Sequence, residues 1–281
     1  MFLFMLLFVC AGWQARAAVS GNITVHKFVS CIDGNLDCYA LCVGRSIAKS
    51  GVANPSDASG DTLFVYLHGL GGDYNEPFKS TDKSNSSIAN AIAKEFPAAS
   101  FLSLNYGSTP SWGSAAARID ITSNLQAAIN ELNIKKIILI GNTMGAATAL
   151  TYAATAPLPI KEKITGIVAV SPCADLEDLY KQSTAAEVKT SLEAVFGAGS
   201  NTMPLAYEQN SLVECLPFLS PKIKFGIISA TADAVIPFDL QKDVIRDLTN
   251  RDMLIKVIEI EGKSEPLPIK QVLELLRFVT A

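Results

Sequence analysis

The sequence predicts an α/β fold: one doubly wound, mostly parallel sheet. Three observations carry this. Short apolar runs recur along the chain, as strands buried on both faces require. Segments with apolar residues at helical spacing separate them. The alternation of the two implies parallel crossover units within one sheet.

The elements follow in order. Residues 62–67 form a short β-rich run that ends in Gly-rich sequence. Residues 87–96 have helical spacing and stop at Pro97. Residues 100–104 read as the next strand and 115–132 as a helix. Residues 134–140 are almost wholly apolar, and 144–156 are Ala-rich and helical. Residues 164–170, 223–229 and 254–260 complete the strands, with helices over 239–248 and 269–279. Between 172 and 221 the pattern is helical without a strand, which predicts a small cap insertion.

The chain has 281 residues, a length that suits one large α/β domain. Hydrophobic residues make up 49% and charged residues 18%, a globular balance. The formal net charge is −4 and no basic block occurs, which argues against nucleic-acid binding. Residues 1–9 are apolar, and Ala15-Arg16-Ala17 supplies a small-x-small pattern before Ala18. This predicts a signal peptide over 1–17 and a product secreted, periplasmic or held in the secretory pathway. The apolar run is too short to span a bilayer, and no later segment suits one. An N-terminal arm, 18–60, then precedes the main domain, 61–281.

Removal of Cys10 with the leader would leave Cys31, Cys38, Cys42, Cys173 and Cys215. In an oxidising compartment a bridge from Cys31 to either Cys38 or Cys42 is expected. No histidine lies at ligand spacing from these cysteines, so no metal site is expected, and nothing implies a cofactor. Asn22-Ile23-Thr24 and Asn85-Ser86-Ser87 are glycosylation acceptors in a eukaryotic host.

The motif that carries chemistry is Gly141-Asn142-Thr143-Met144-Gly145, between the strongest strand and the Ala-rich helix. Its spacing is that of the nucleophile elbow, Gly-x-Ser-x-Gly. Glycines are needed there because side chains would collide with the adjoining strand and helix. At this point the chain resembles the α/β-hydrolase family of esterases, lipases and related acyl hydrolases. His68-Gly69-Leu70-Gly71-Gly72 resembles the family's oxyanion loop. By that match His68 and Gly69 belong to the loop, and Leu70 and Met144 offer backbone N–H groups to an oxyanion. Ser229 to Pro237 resembles the segment that carries the catalytic acid, which implies Asp233 in that role.

Two positions depart from the family pattern. Thr143 stands where serine is expected, and its β-branch crowds a strained turn. The segment after the last strand reads Glu261-Gly262-Lys263-Ser264-Glu265-Pro266, with no histidine. Lys263 or Ser264 takes that place. His26 and His68 are the chain's two histidines, and neither is placed by sequence to deprotonate Thr143. The expectation is a pseudoenzyme that keeps the fold and binds a ligand or partner. The alternative is an active acyl hydrolase using Thr143, Asp233 and a non-histidine base such as Lys263. Leu179, Tyr180, Leu192, Val195 and Phe196 in the insertion permit a small acyl or apolar ligand, or pack the insertion onto the domain.

Overall fold

The structure is a computed structural model that describes residues 23–30, 34, 36–44, 60–80, 87–107 and 110–281. The expected signal peptide, Cys10, Cys31, Asn22 and Asn85 lie outside the described residues.

Among the described residues, eight strands form one sheet. They are β1 (Ile23–Val29), β2 (Leu36–Cys42), β3 (Thr62–Leu67), β4 (Ser100–Leu104), β5 (Lys136–Asn142), β6 (Ile164–Val170), β7 (Lys224–Ala230) and β8 (Leu254–Ile260). Their spatial order is β1-β2-β4-β3-β5-β6-β7-β8. Strand β2 is antiparallel to both its neighbours, and every other adjacent pair is parallel. The helices are α1 (Ile88–Glu95), α2 (Ala115–Leu132), α3 (Met144–Thr155), α4 (Leu158–Lys161), α5 (Leu176–Gln182), α6 (Ala186–Phe196), α7 (Pro204–Glu208), α8 (Leu212–Cys215), α9 (Phe238–Thr249) and α10 (Ile269–Thr280).

The apolar runs become strands because both faces of the central sheet are covered. One core layer joins Leu63, Val65, Leu139 and Ile167 to α2, α3, α9 and the helices between β6 and β7. The other joins Phe64, Tyr66, Ile138, Ile140, Val168 and Ile228 to α1 and α10. Alternate residues of each strand thus face opposite layers, and an all-apolar run satisfies both.

The N-terminal arm departs from the expectation. It contributes the hairpin β1–β2, where the sequence pattern predicts no strand. Only Ala40, Leu41 and Cys42 of the pair are buried, and β1 is a partly exposed edge strand. It therefore lacks the continuous apolar signature of the inner strands. Cys38, Cys42, Cys173 and Cys215 are free thiols. The β5 strand also starts and ends two residues later than expected. Asn133, in left-handed conformation, ends α2, and the Lys135 and Lys136 amides bond Asp61 O at 2.8 and 3.1 Å. The β5 strand then runs into the first two residues of the elbow motif. Among the described residues no helix is long and apolar enough to cross a membrane.

Connections run from β3 to β4 on one side and on to β5 on the other, so the order reverses at β3. A crevice beyond the carboxyl ends of strands forms at such a point. Three of the motif segments meet there or at the neighbouring strand ends.

Candidate active site

The bend between β5 and α3 is held by close approach. A Cβ on Gly141 would lie 2.3 Å from Gly145 O, and one on Gly145 would lie 2.1 Å from Leu67 O. Neither contact is sterically tolerable, so both glycines are required. Thr143, between them, has φ 45° and ψ −106°. For a β-branched residue this costs on the order of 1–3 kcal/mol, which the surrounding packing must offset. Its amide donates to Val170 O at 2.9 Å, and its carbonyl accepts from Ala146 and Ala147. These bonds tie the bend to β6 and start the helix. The Met144 amide sits in the first turn of α3, where no intrahelical acceptor exists.

The elbow conformation is therefore present, with its residue largely buried between the loop after β3 and α3. Thr143 is 3% exposed. A Cβ on Gly69 would sit 3.0 Å from Thr143 Oγ1, so the loop backbone lies against the hydroxyl. Among the described residues, no side chain reaches Thr143 Oγ1 within hydrogen-bonding distance.

Asp233 and Ser264 come together. Asp233 Oδ1 accepts from the Val235 and Ile236 amides, each at 2.9 Å. Its Oδ2 accepts a short bond from Ser264 Oγ. Ser264 is buried and thus stands on the acid, where the resemblance places a histidine. A serine side chain is too short to extend from that acid to a hydroxyl on another strand as an imidazole would. Lys263 is exposed, and no hydrogen bond joins it to Thr143 or Asp233. The structure does not bring it to the nucleophile position.

His68 and Gly69 lie in the loop after β3, with Gly72 N bonded back to Gly69 O at 3.0 Å. His68 packs against Tyr106 in a tilted arrangement, 4.6 Å between ring centroids. Its Nδ1 lies 2.9 Å from Gly69 O. A carbonyl only accepts, so Nδ1 carries the proton and Nε2 is left as a bare acceptor. That nitrogen is buried without a partner. Burial holds the imidazole below its ordinary pKa, against the bond to Gly69 and the pull of Glu76 and Asp73. His68 is a neutral structural group with no bond to Thr143.

Glu76 is the residue that sequence reasoning missed. Its carboxylate accepts from Tyr66 OH at 2.6 Å and from Gly69 N at 3.1 Å. It also lies 3.5 Å from Asn142 Nδ2. A Cβ on Gly72 would fall within 1.9 Å of this carboxylate, which shows how closely the loop wraps it. A side-chain carboxyl group thus occupies one amide of the oxyanion loop. Its only sequence signal is an acidic residue seven positions beyond Gly69, indistinguishable there from a solvated loop charge. Glu265, at the rim, has its carboxyl pushed above the usual range by partial burial and then by Glu76 and Asp233. Leu70 is half-buried with its side chain packed on the core. Leu179, Leu192 and Phe196 are core residues, and Tyr180 and Val195 pack against them.

A family model described as alpha/beta hydrolase fold matches residues 62–248. A comparison with curated proteins finds no match. Among solved structures, S-formylglutathione hydrolase from Agrobacterium tumefaciens is similar. It has a TM-score of 0.68, 14% identity, and coverage of 94% of this chain and 96% of that one. S-formylglutathione hydrolase (FrmB) from Staphylococcus aureus gives 0.65 and 12%, covering 92% and 99%. A puromycin-hydrolyzing peptidase from Mycobacterium tuberculosis gives 0.67 and 14%, covering 92% of this chain and 38% of the larger protein. The likenesses at this identity bear on the fold. The match over two thirds of the sequence, on the strands that build the bend at Thr143, means that the chain belongs to the alpha/beta hydrolase fold family.

Proposed function

We propose that this is a secreted α/β-hydrolase-fold protein that binds a ligand or partner at its former catalytic centre and does not hydrolyse it. One observation carries the reading. Among the described residues Thr143 Oγ1 has no base within hydrogen-bonding reach, and Ser264 occupies the acid in place of an imidazole. A threonine hydroxyl without a base stays protonated and is a poor nucleophile. The charge balance argues the same way. The Glu76 carboxylate, bonded to the Gly69 amide, sits in the same loop whose Leu70 amide would face an oxyanion. A negative charge in that loop opposes the roughly 3–4 kcal/mol that one oxyanion donor can contribute. The export of the chain rests on its apolar leader and the Ala15-Arg16-Ala17 pattern.

Purified protein should turn over p-nitrophenyl butyrate no faster than its Thr143→Ala variant. Saturable turnover that disappears in Thr143→Ala would overturn the proposal. The second reading, an active acyl hydrolase with Thr143 as nucleophile and Asp233 as acid, is favoured by one feature: the bend and the open Met144 amide are intact. It requires an acyl adduct on Thr143 after exposure to an activated ester, detectable by mass spectrometry of the peptide containing residue 143.

A further inference from the structure

The loop after β3 is tied down on two sides, and the two are unlike. On the β4 side the Tyr74 amide donates to Asn105 Oδ1 at 2.7 Å, and the Asn105 amide donates to Cys38 O at 3.0 Å. On the elbow side one carboxyl group meets donors from three elements. Glu76 accepts from Tyr66 OH of β3 at 2.6 Å and from the Gly69 amide, where the loop opens, at 3.1 Å. Asn142 Nδ2, on the elbow, lies 3.5 Å from the same group. A single side chain therefore joins strand, loop and elbow.

The surroundings of Glu76 are shaped to hold it. Tyr66 is 1% exposed, and among the described residues Glu76 is the acceptor its hydroxyl has. Burial, and then Glu76, hold that phenol well above its usual range, so it remains a donor. Without Glu76 a buried hydroxyl would be left unpaired. A Cβ on Gly72 would lie 1.9 Å from Glu76 Oε2 and 3.1 Å from Gly69 O. The backbone of Gly72 is not left-handed, unlike that of Gly71 at φ 76°. Glycine at 72 thus answers to the space that the Glu76 side chain fills, not to dihedral angles. Gly69 in turn lies against the elbow: a Cβ there would sit 3.0 Å from Thr143 Oγ1 and 3.2 Å from Asn142 Nδ2. Whatever fixes Gly69 fixes the spacing between the loop and the bend.

We infer that Glu76 is the positioning residue of this corner, holding the loop after β3 at the elbow through Gly69, Tyr66 and Asn142. Among the described residues no hydrogen bond joins it to Thr143 or Asp233, so it acts through its neighbours and not on a reacting group. The inference goes beyond the binding function proposed above and does not rest on it, because the loop is held before any ligand arrives.

The test is amide hydrogen exchange, read residue by residue by NMR on the full protein without ligand. Glu76→Ala should speed exchange of the Gly69 amide about tenfold, the loss expected of one hydrogen bond, and leave the Leu139 amide of the central strand unchanged. Glu76→Gln keeps an acceptor oxygen and should hold Gly69 exchange within about threefold of the native rate. The Asn142 side-chain amide resonance should move in Glu76→Ala. Gly72→Ala is a second route, because its methyl takes the place of Glu76 Oε2 and leaves residue 76 itself intact. Alone it should speed Gly69 exchange as Glu76→Ala does. Added to Glu76→Ala it should change little, because the group it displaces is gone. Should Glu76→Ala fail to fold, Gly72→Ala decides by itself. Gly69 exchange unmoved by either substitution, raised no more than at Leu139, equal in Glu76→Ala and Glu76→Gln, or additive in the double variant would overturn the inference. Ester turnover enters none of these readings, so the proposed function and this inference can fail separately.

Discussion

His68 and Thr143 sit on adjacent strand ends, and the chemistry of each is set by its surroundings. The imidazole is buried, bonded through Nδ1 to Gly69 O and depressed in pKa. Its folded value lies below the unfolded value of about 6.5. The unfolded chain therefore binds more protons once the pH falls below about 6.5, and stability falls with it. Above that pH the contribution is fully present. Urea unfolding at pH 7.5 and 5.5 should show a loss for the native protein that is smaller in His68→Gln. The difference can reach at most about 1.4 kcal/mol per pH unit for a single group. An identical loss in both proteins would mean that His68 charges freely in the fold. Thr143 and Asp233 could be located from sequence because glycine spacing and loop position mark them. Ser264 on the acid could be narrowed only to a choice with Lys263, since neighbours in a loop point in different directions. Glu76 was not legible at all: its importance comes from a turn that folds it back onto Gly69, and no local pattern encodes that contact.

At the scale of elements, α10 shows what lets a helix lie flat on this sheet. A Cβ on Gly226 of β7 would stand 2.8 Å from Leu275 Cβ, and one on Gly166 of β6 would stand 2.8 Å from Val279 Cβ. The two glycines form a shallow trough under a helix whose buried face is Val272, Leu275, Leu276 and Val279. Leu275→Ala should cost about 2–5 kcal/mol through lost burial and a residual cavity. Gly226→Ala alone should cost about 1–3 kcal/mol through overpacking. Combined, the two should cost less than their sum, because the new methyl enters space that the leucine vacates. A double-mutant cycle by chemical denaturation measures this, and simple additivity would refute the described contact. Such inner elements were legible because both faces of β3 to β7 are covered, which forces apolar runs. The β1–β2 hairpin was not, because an edge pair with exposed Val25, Val29 and Leu36 meets no such constraint.

Across the whole molecule, the candidate site depends on three loops from β3, β5 and β8 meeting at one corner, with the acid supplied after β7. The sheet sets their spacing, so the chemistry can be altered one loop at a time without rebuilding the fold. The bond from Ser264 to Asp233 identifies position 264, not 263, as the one from which an imidazole would meet the acid. Thr143→Ser would keep a hydroxyl on the bend and remove the crowding methyl. Ser264→His would supply a base already facing its acid, and Glu76→Gln would remove a negative charge from the loop that carries the Leu70 amide. The triple variant should hydrolyse p-nitrophenyl butyrate above the native protein. Partial sets should lag, because members of a coupled triad are strongly non-additive. Without the base, the residual expected from binding and an oxyanion hole is about 10³–10⁴ over water. Ser264→His should gain most when paired with Thr143→Ser, and Glu76→Gln should then raise kcat more than it changes KM, since it acts on charge that appears during attack. A folded triple variant without turnover would mean that Thr143 is too enclosed for an ester to reach. In that case access to the bend, and not the missing imidazole, is what limits ester hydrolysis at this site.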